Sequence, residues 1–348
     1  MPARFRVGIV GAGENARDHG RACRNVEQAE LVAICDISAE ALDRFGAEFN
    51  VSKRYTDMAQ MLDREELDIV VISVWGVFHA ELAIAVADSG KVRAVLVEKP
   101  ISITAAECEE MIAAANRNGV LLAEAFKWRH DPQHLRVKEL LDAGRIGRPV
   151  SVHGSFTSPL IRFAAPGTWR YERARGGGSV FDTASYLIHF ARFVFDAEPY
   201  RVYAAGTPPI EGADVEMSAS IMLQFPEHRT AQLTSSYEWG YCQATHVLGT
   251  RGWIRMELPF DQRSVREQEF VEKEDLPAAV QVFHDNFNTE RYSFTSVNQF
   301  DLQLSHLCDC LETDRPNRVS PEFSLGNMRT IDAVYESISS GNPVDLPA

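Results

Sequence analysis

Phe5-Arg6-Val7-Gly8-Ile9-Val10-Gly11-Ala12-Gly13-Glu14-Asn15-Ala16 is a short apolar run that breaks into a G-x-G-x-x-A sequence. The run reads as a strand, and the residues after Gly13 open a helix. At such a junction the first glycine permits a tight turn and the second lets the backbone approach a pyrophosphate. The small third residue lets helix and strand pack closely. Gly11, Ala12, Gly13, Glu14 and Asn15 are therefore the expected phosphate cradle. Asp36 comes twenty residues after Ala16, at the end of the next apolar run. A carboxylate there accepts hydrogen bonds from both ribose hydroxyls of an adenosine and repels a 2′-phosphate. Ile37 and Ser38 bring no arginine for that phosphate, so NAD is expected in preference to NADP.

Working outward, strands are expected at 5–10, 31–35, 69–73, 94–98 and 120–123, alternating with amphipathic stretches at 39–49, 78–89 and 104–118. Strands that read apolar throughout are buried on both faces, as in a parallel sheet covered by helices. Residues 1–125 are thus an α/β, doubly wound domain, whose ligands bind at the carboxyl ends of the strands. One of those ends reads Val97-Glu98-Lys99-Pro100. Two charges and a proline take the chain abruptly out of the sheet, which would stand Lys99 in the ligand crevice. The plainer alternative is a surface pair between Glu98 and Lys99, although neighbouring strand residues point to opposite faces.

The 348-residue chain carries 35 Lys+Arg against 49 Asp+Glu, a formal charge of −14. That balance argues against nucleic acid and against charge-driven binding to an anionic membrane. The N-terminal apolar stretch breaks at Gly11, too early for a secretory signal, and no apolar run is long enough to span a bilayer. Six scattered cysteines without C-x-x-C read as reduced thiols in a cytoplasmic protein.

Residues 126–348 form the second expected domain, with C-terminal helices at 297–313 and 325–339 as candidates to pack back on the first. Strands are expected at 149–157, 201–206, 217–225, 230–237, 244–248 and 253–256, giving an α+β domain with an open, mostly antiparallel sheet. A helix follows Gly176-Gly177-Gly178 and carries Asp182, Tyr186 and His189 at i, i+4 and i+7, one face of a regular helix. Asp182 would orient a substrate and Tyr186 pass a proton. A free tyrosine, with a pKa of about 10, needs a neighbouring cation such as Lys99 for that work. His189 reads equally as core.

Gly11-Ala12-Gly13, Asp36, Glu98-Lys99-Pro100, the stretch Glu124 to His134, and Gly-Gly-Gly before Asp182 and Tyr186 together resemble the glucose–fructose oxidoreductase / inositol dehydrogenase (Gfo/Idh/MocA) family over nearly the whole chain. The resemblance implies a Rossmann domain for NAD(P), a second domain that holds a sugar, polyol or dihydrodiol, a catalytic lysine at Lys99, and a substrate-binding aspartate at Asp182. Tyr186 stands where many members have histidine, like the branch with dimeric dihydrodiol dehydrogenase, D-xylose dehydrogenase and sugar 3-ketoreductases. Trp75 and His79 would lie by the cofactor with Glu98, and Arg170 would reach over the nicotinamide. Lys99, Trp169, Asp182, Tyr186 and His189 would line the substrate site. A homodimer or homotetramer joined through the second domain's sheet is also implied.

The expected function is hydride transfer between nicotinamide and a secondary alcohol, ketone or anomeric carbon of a sugar, glycoside or polyol. Alternatives are redox-neutral sugar chemistry (elimination, glycoside cleavage or transfer) with tightly retained NAD, and a non-catalytic nucleotide-binding regulator. His130 and His134, at i and i+4, have zinc spacing but neither the glutamate of H-E-x-x-H nor a third ligand, so no metal is expected. The absence of G-x-S-x-G argues against a hydrolase of that type.

Overall fold

Runs of valine, isoleucine and alanine build the first sheet. Its strands are β1 (Phe5–Val10), β2 (Ala29–Cys35), β3 (Lys53–Tyr55), β4 (Ile69–Ile72), β5 (Ala94–Val97) and β6 (Leu121–Glu124). All pair in parallel, in the order β3-β2-β1-β4-β5-β6. β4 and β5 are buried at every residue, as strands covered on both faces must be. The structure, a computed structural model, describes residues 4–164, 166–260, 278–295 and 297–347.

Between the strands run α1 (Glu14–Asn25), α2 (Ala39–Phe49), α3 (Met58–Arg64), α4 (His79–Asp88) and α5 (Ala105–Asn118). Their ends follow local chemistry. Ser38, Asp57 and Thr104 cap α2, α3 and α5 through side-chain oxygens, and left-handed Asn50 and Gly119 stop α2 and α5. α1 is different, because its N-cap is Gly13 and no side chain caps its first turn. β3 and α3, which the sequence reading does not contain, are three and seven residues long, too short for a periodic pattern to show.

The chain divides into two compact units, residues 1–130 with 298–328, and residues 131–297 with 329–348. In the first, α8 (Gln299–Thr313) packs against α1, adding Phe300, Leu304, Leu307 and Cys308 to the core. The start of α9 (Pro321–Ser340) also belongs to this unit.

His130, His306 and Arg318 meet in the same unit. His130 Nδ1 accepts from the Arg318 guanidinium at 2.9 Å, and His306 Nε2 accepts from the Arg318 amide at 3.1 Å. Both contacts require unprotonated nitrogens. Burial, then Arg318, hold His130 well below the usual histidine range and His306 at about 4. Below about pH 6.5 an unfolded chain takes up protons that the folded one refuses, so stability falls as the pH drops from 6.5 towards 4. For the half-exposed His306 ring the loss is about 1–2 kcal/mol after solvent screening. Urea unfolding at pH 7 and 4.5 should show it, and His306→Gln should reduce the difference; an identical difference would refute this account.

The second unit is a nine-stranded sheet, order β14-β13-β12-β11-β7-β10-β9-β8-β15, mostly antiparallel with β7 and β10 parallel. Its strands are β7 (Pro149–Thr157), β8 (Arg201–Gly206), β9 (Ser218–Phe225), β10 (Arg229–Ser236), β11 (Cys242–Gly249), β12 (Gly252–Glu257), β13 (Ala278–His284), β14 (Thr289–Phe294) and β15 (Val344–Asp345). α6 (Pro132–Asp142) packs on β13 and β14, and α7 (Ser185–Phe195) on β7 and β10. The opposite face leaves Tyr203 and Met222 exposed.

Arg192 of α7 is fully buried, with Nε 2.7 Å from Glu198 Oε2 and Nη2 2.5 Å from Oε1. Removing the carboxylate takes the paired charge from a buried guanidinium. Glu198 itself is 56% exposed, so water replaces part of the lost interaction, and Glu198→Ala should cost about 1–2 kcal/mol in denaturant unfolding; a loss below about 0.3 kcal/mol would show the pair to be a surface-like contact.

His130 and His134 are not on one helix, a correction to the spacing argument. His130 closes the 3-10 turn Lys127–His130, and Asp131 with Pro132 starts α6 afresh. His134 instead packs against Phe190 and Phe260. Among the described residues no cluster of three His, Cys, Asp or Glu could hold a metal, and no helix is long and apolar enough to cross a membrane.

Candidate active site

Gly11 turns the chain out of β1 at φ +98°, where a Cβ would stand 2.1 Å from the Ser73 carbonyl oxygen. Any other residue there would push β1 and β4 apart. Next to it, Gly13 has nothing within 4 Å of where its Cβ would be. The uncapped first turn of α1, with Glu14 and Asn15 exposed, therefore opens its amides onto free space. Such amides, at the positive end of the helix dipole, are a site for a phosphate.

The Asp36 carboxylate is oriented by two backbone amides, Ala12 N at 2.7 Å on Oδ2 and Ser38 N at 2.8 Å on Oδ1. The cradle and the acid are thus joined by one hydrogen bond. Ile37 after β2, and Trp75 and Phe78 after β4, are exposed beyond the carboxyl ends of the two strands that flank β1, apolar surface that a flat ring can cover. These residues fit a dinucleotide: a glycine cradle, free helix amides, and an acid at the end of the next strand where a ribose would hydrogen-bond.

Lys99 follows β5 and is half-buried; the Lys99-Pro100 peptide is cis. Side chains from three elements grip its turn. Glu98 Oε1 lies 2.8 Å from His19 Nε2 of α1, and Oε2 accepts from the Lys99 amide at 3.3 Å. His79 of α4 places Nδ1 2.9 Å from the Pro100 carbonyl and Nε2 3.2 Å from that of Val74. Burial depresses the His79 pKa, so the ring is neutral and its one N–H serves the shorter contact. Glu124 Oε1 accepts from the Ile101 amide at 2.9 Å. Trp75 is 42% exposed, whereas His79 is 1% exposed and committed to the turn.

In the second unit, residues 180–184 form a π-helical turn that continues into α7. Asp182 thus lies in the π turn and Tyr186 and His189 in the regular helix after it, so the i, i+4, i+7 spacing does not run through one continuous α-helix. Asp182 is partly exposed, Tyr186 is 5% exposed and packs against Phe156 and Phe260, and His189 is wholly interior. Arg170 lies beside Asp182, Nε to Oδ2 3.6 Å, with its guanidinium 4.7 Å above the Trp169 ring. Gly177 makes this approach possible, since a Cβ there would meet the Trp169 and Arg170 carbonyls at 2.6 Å.

Tyr237, which the sequence marks only as the end of a strand, joins the candidate site through Asp182. Its buried hydroxyl lies 3.1 Å from Asp182 Oδ2 and 3.0 Å from the Gly178 carbonyl. Burial, then the Asp182 charge, push its pKa well up, so it stays a donor. Glu216 is also new. It accepts from the Val180 amide at 2.8 Å at the start of the π turn, and burial raises its pKa to about 6. Nothing in their local sequence marks either residue, since their partners are 55 and 36 positions away.

Residues 5–126 match the family described as "Oxidoreductase family, NAD-binding Rossmann fold", and residues 134–255 match the "GFO/IDH/MocA C-terminal domain". The D-apiose dehydrogenase of Paraburkholderia graminis is 33% identical over 99% of this chain and 90% of its own. The chain belongs to the GFO/IDH/MocA oxidoreductase family. Another relative, the NADP-linked D-xylose 1-dehydrogenase of Haloarcula marismortui, is 30% identical over 73% of this chain and 68% of its own. Among solved structures, the aldose–aldose oxidoreductase of Caulobacter crescentus, crystallised with glycerol, superposes with a TM-score of 0.87. It is 25% identical, with coverage of 99% of this chain and 100% of that one. Membership accounts for the paired Rossmann and open-sheet units.

Proposed function

We propose that this GFO/IDH/MocA protein is an NAD(P)-dependent oxidoreductase of a sugar, glycoside or polyol, acting at a secondary alcohol, ketone or anomeric carbon. The observation that carries the reading is the dinucleotide cradle of Gly11–Asn15 and Asp36 in the same sheet as the Glu98-Lys99-Pro100 turn. Relatives named as dehydrogenases of xylose and apiose support the substrate class.

Bound nicotinamide supplies the hydride acceptor or donor; Gly11, Ala12, Gly13, Glu14, Asn15, Asp36 and Trp75 hold the dinucleotide. In oxidation Tyr186 takes the hydroxyl proton, and in reduction it returns it. The Lys99 ammonium stabilises the phenolate that results. Asp182, held by Tyr237 and Arg170, accepts hydrogen bonds from substrate hydroxyls, with Trp169 as an apolar face for the ring. Arg170 reaches over the nicotinamide side and also pairs with Asp182, 3.6 Å away. His79 and Glu98 hold the Lys99 turn through their bonds to the Pro100 carbonyl and the Lys99 amide, and His189 lies in the interior behind Tyr186. The two amides on Asp36 aim it as a ribose acceptor, which favours NAD; the NADP-linked relative makes this a point to measure. The acidic chain is expected in the cytoplasm, away from nucleic acid and membrane, as a homodimer or homotetramer whose second copy covers Tyr203 and Met222.

Nicotinamide absorbance tests this over a panel of aldopentoses, aldohexoses, inositols and glycosides with NAD and NADP in parallel. Turnover with one class and NAD is expected; preference for NADP would overturn the reading of Asp36, and binding of dinucleotide without turnover on any class would overturn the activity. A second reading, redox-neutral exchange with retained NAD, is favoured by the likeness to an aldose–aldose oxidoreductase. It predicts dinucleotide in the purified protein and turnover only when a sugar donor and acceptor are present together.

A further inference from the structure

His19 and Glu98 are 2% and 6% exposed, and their bond spans 79 positions of sequence. A buried carboxylate is costly unless something repays its lost hydration. Burial works to raise the Glu98 pKa, but the His19 hydrogen bond and the charges of His19, Lys127 and Lys99 outweigh it, so Glu98 remains ionised. An ionised carboxylate only accepts, so Nε2 of His19 carries the proton and donates. The imidazole is braced edge-on by Phe300, centroids 5.0 Å apart at 89°, and Lys127 Nζ stands 5.3 Å above the same phenyl ring.

The two oxygens of Glu98 thus face different elements. Oε1 meets α1, about one turn beyond the cradle; Oε2 meets the amide of the residue that carries the ammonium. A dinucleotide drawn to the free amides of α1 lies on the helix that holds Glu98.

We propose that His19 is a positioning residue for Lys99: its buried bond to Glu98 ties the helix that begins at the dinucleotide cradle to the turn that presents the lysine. This rests on the reading of Lys99 given above. The groups facing Glu98 are His19 from α1, Lys99 on its own turn and Lys127 after β6; His79 of α4 lies within reach of its charge. Without the His19 donor, Glu98 takes up a proton at higher pH and its grip on the Lys99 amide weakens.

The test compares His19→Leu, His19→Gln and Lys99→Met in the full-length protein. His19→Leu should lower kcat by about 10- to 100-fold, the scale of small misplacements of a catalytic group. The acid limb of its kcat/KM profile should move up by about one pH unit. Tryptophan fluorescence should show NAD affinity of the free protein within about twofold of the parent, since the cradle itself is intact. His19→Gln keeps an N–H donor and should recover most of kcat and the parent profile. Parent kcat and profile in His19→Leu, with Lys99→Met inactive, would overturn the inference alone. A fully active Lys99→Met would overturn the reading of Lys99 and the inference with it. Should His19→Leu not fold, His19→Asn replaces it: one methylene too short for the bond, it should show the lowered kcat, and equality with His19→Gln would overturn the inference.

Discussion

Lys99→Met is expected to lower kcat by about 10²- to 10⁴-fold, the range that acid–base assistance contributes, while dinucleotide binding changes little. Methionine keeps the length and most of the volume of the lysine stem, so the half-buried position remains filled. The gripping bonds to Glu98, Pro100 and Ile101 use backbone atoms of the turn and survive the change. What is lost is the ammonium, which the proposed mechanism uses as counter-charge to an ionised phenol. A variant that binds NAD like the parent but does not turn over would locate the loss in chemistry. Unchanged kcat would remove Lys99 from the mechanism.

Tyr186→Phe is the companion experiment, with a comparable expected loss of about 10²- to 10⁴-fold in kcat. The aromatic ring is packed at 5.4 Å from both Phe156 and Phe260, and phenylalanine retains those contacts. Stability should therefore hold within about 1 kcal/mol, and a loss of activity cannot be blamed on a collapsed core. The proposed mechanism has lysine and tyrosine act on one proton, so it predicts a double variant no worse than the poorer single one, the non-additivity of groups that work as a unit. Additive losses would mean that the two residues serve separate steps.

The parts of this site that were legible in the sequence are local ones. The cradle, its turn and Asp36 depend on spacings inside one strand–helix–strand segment, and Ala12 N on Asp36 Oδ2 is the bond that spacing implies. The turn that carries Lys99 is legible because two charges and a proline ending an apolar run take the chain out of the sheet, and β5 ends at Val97. The π turn at residues 180–184, which runs into the regular helix carrying Tyr186 and His189, is not legible in the sequence, because no local pattern marks the widening of the backbone. Tyr237, Glu216 and the His19–Glu98 bond were invisible for another reason. Each depends on partners brought together only by the sheet, and a lone tyrosine, glutamate or histidine carries no mark of its eventual neighbour.

Hydride transfer from a sugar carbon is the central claim, and isotopic tracing tests it most directly. A perdeuterated sugar that gives turnover is supplied with the preferred dinucleotide, and the recovered cofactor is examined by mass spectrometry. The account predicts one deuterium on the nicotinamide ring for each sugar oxidised. Oxidised sugar with no deuterium on the cofactor, whether free or retained by the protein, would contradict it.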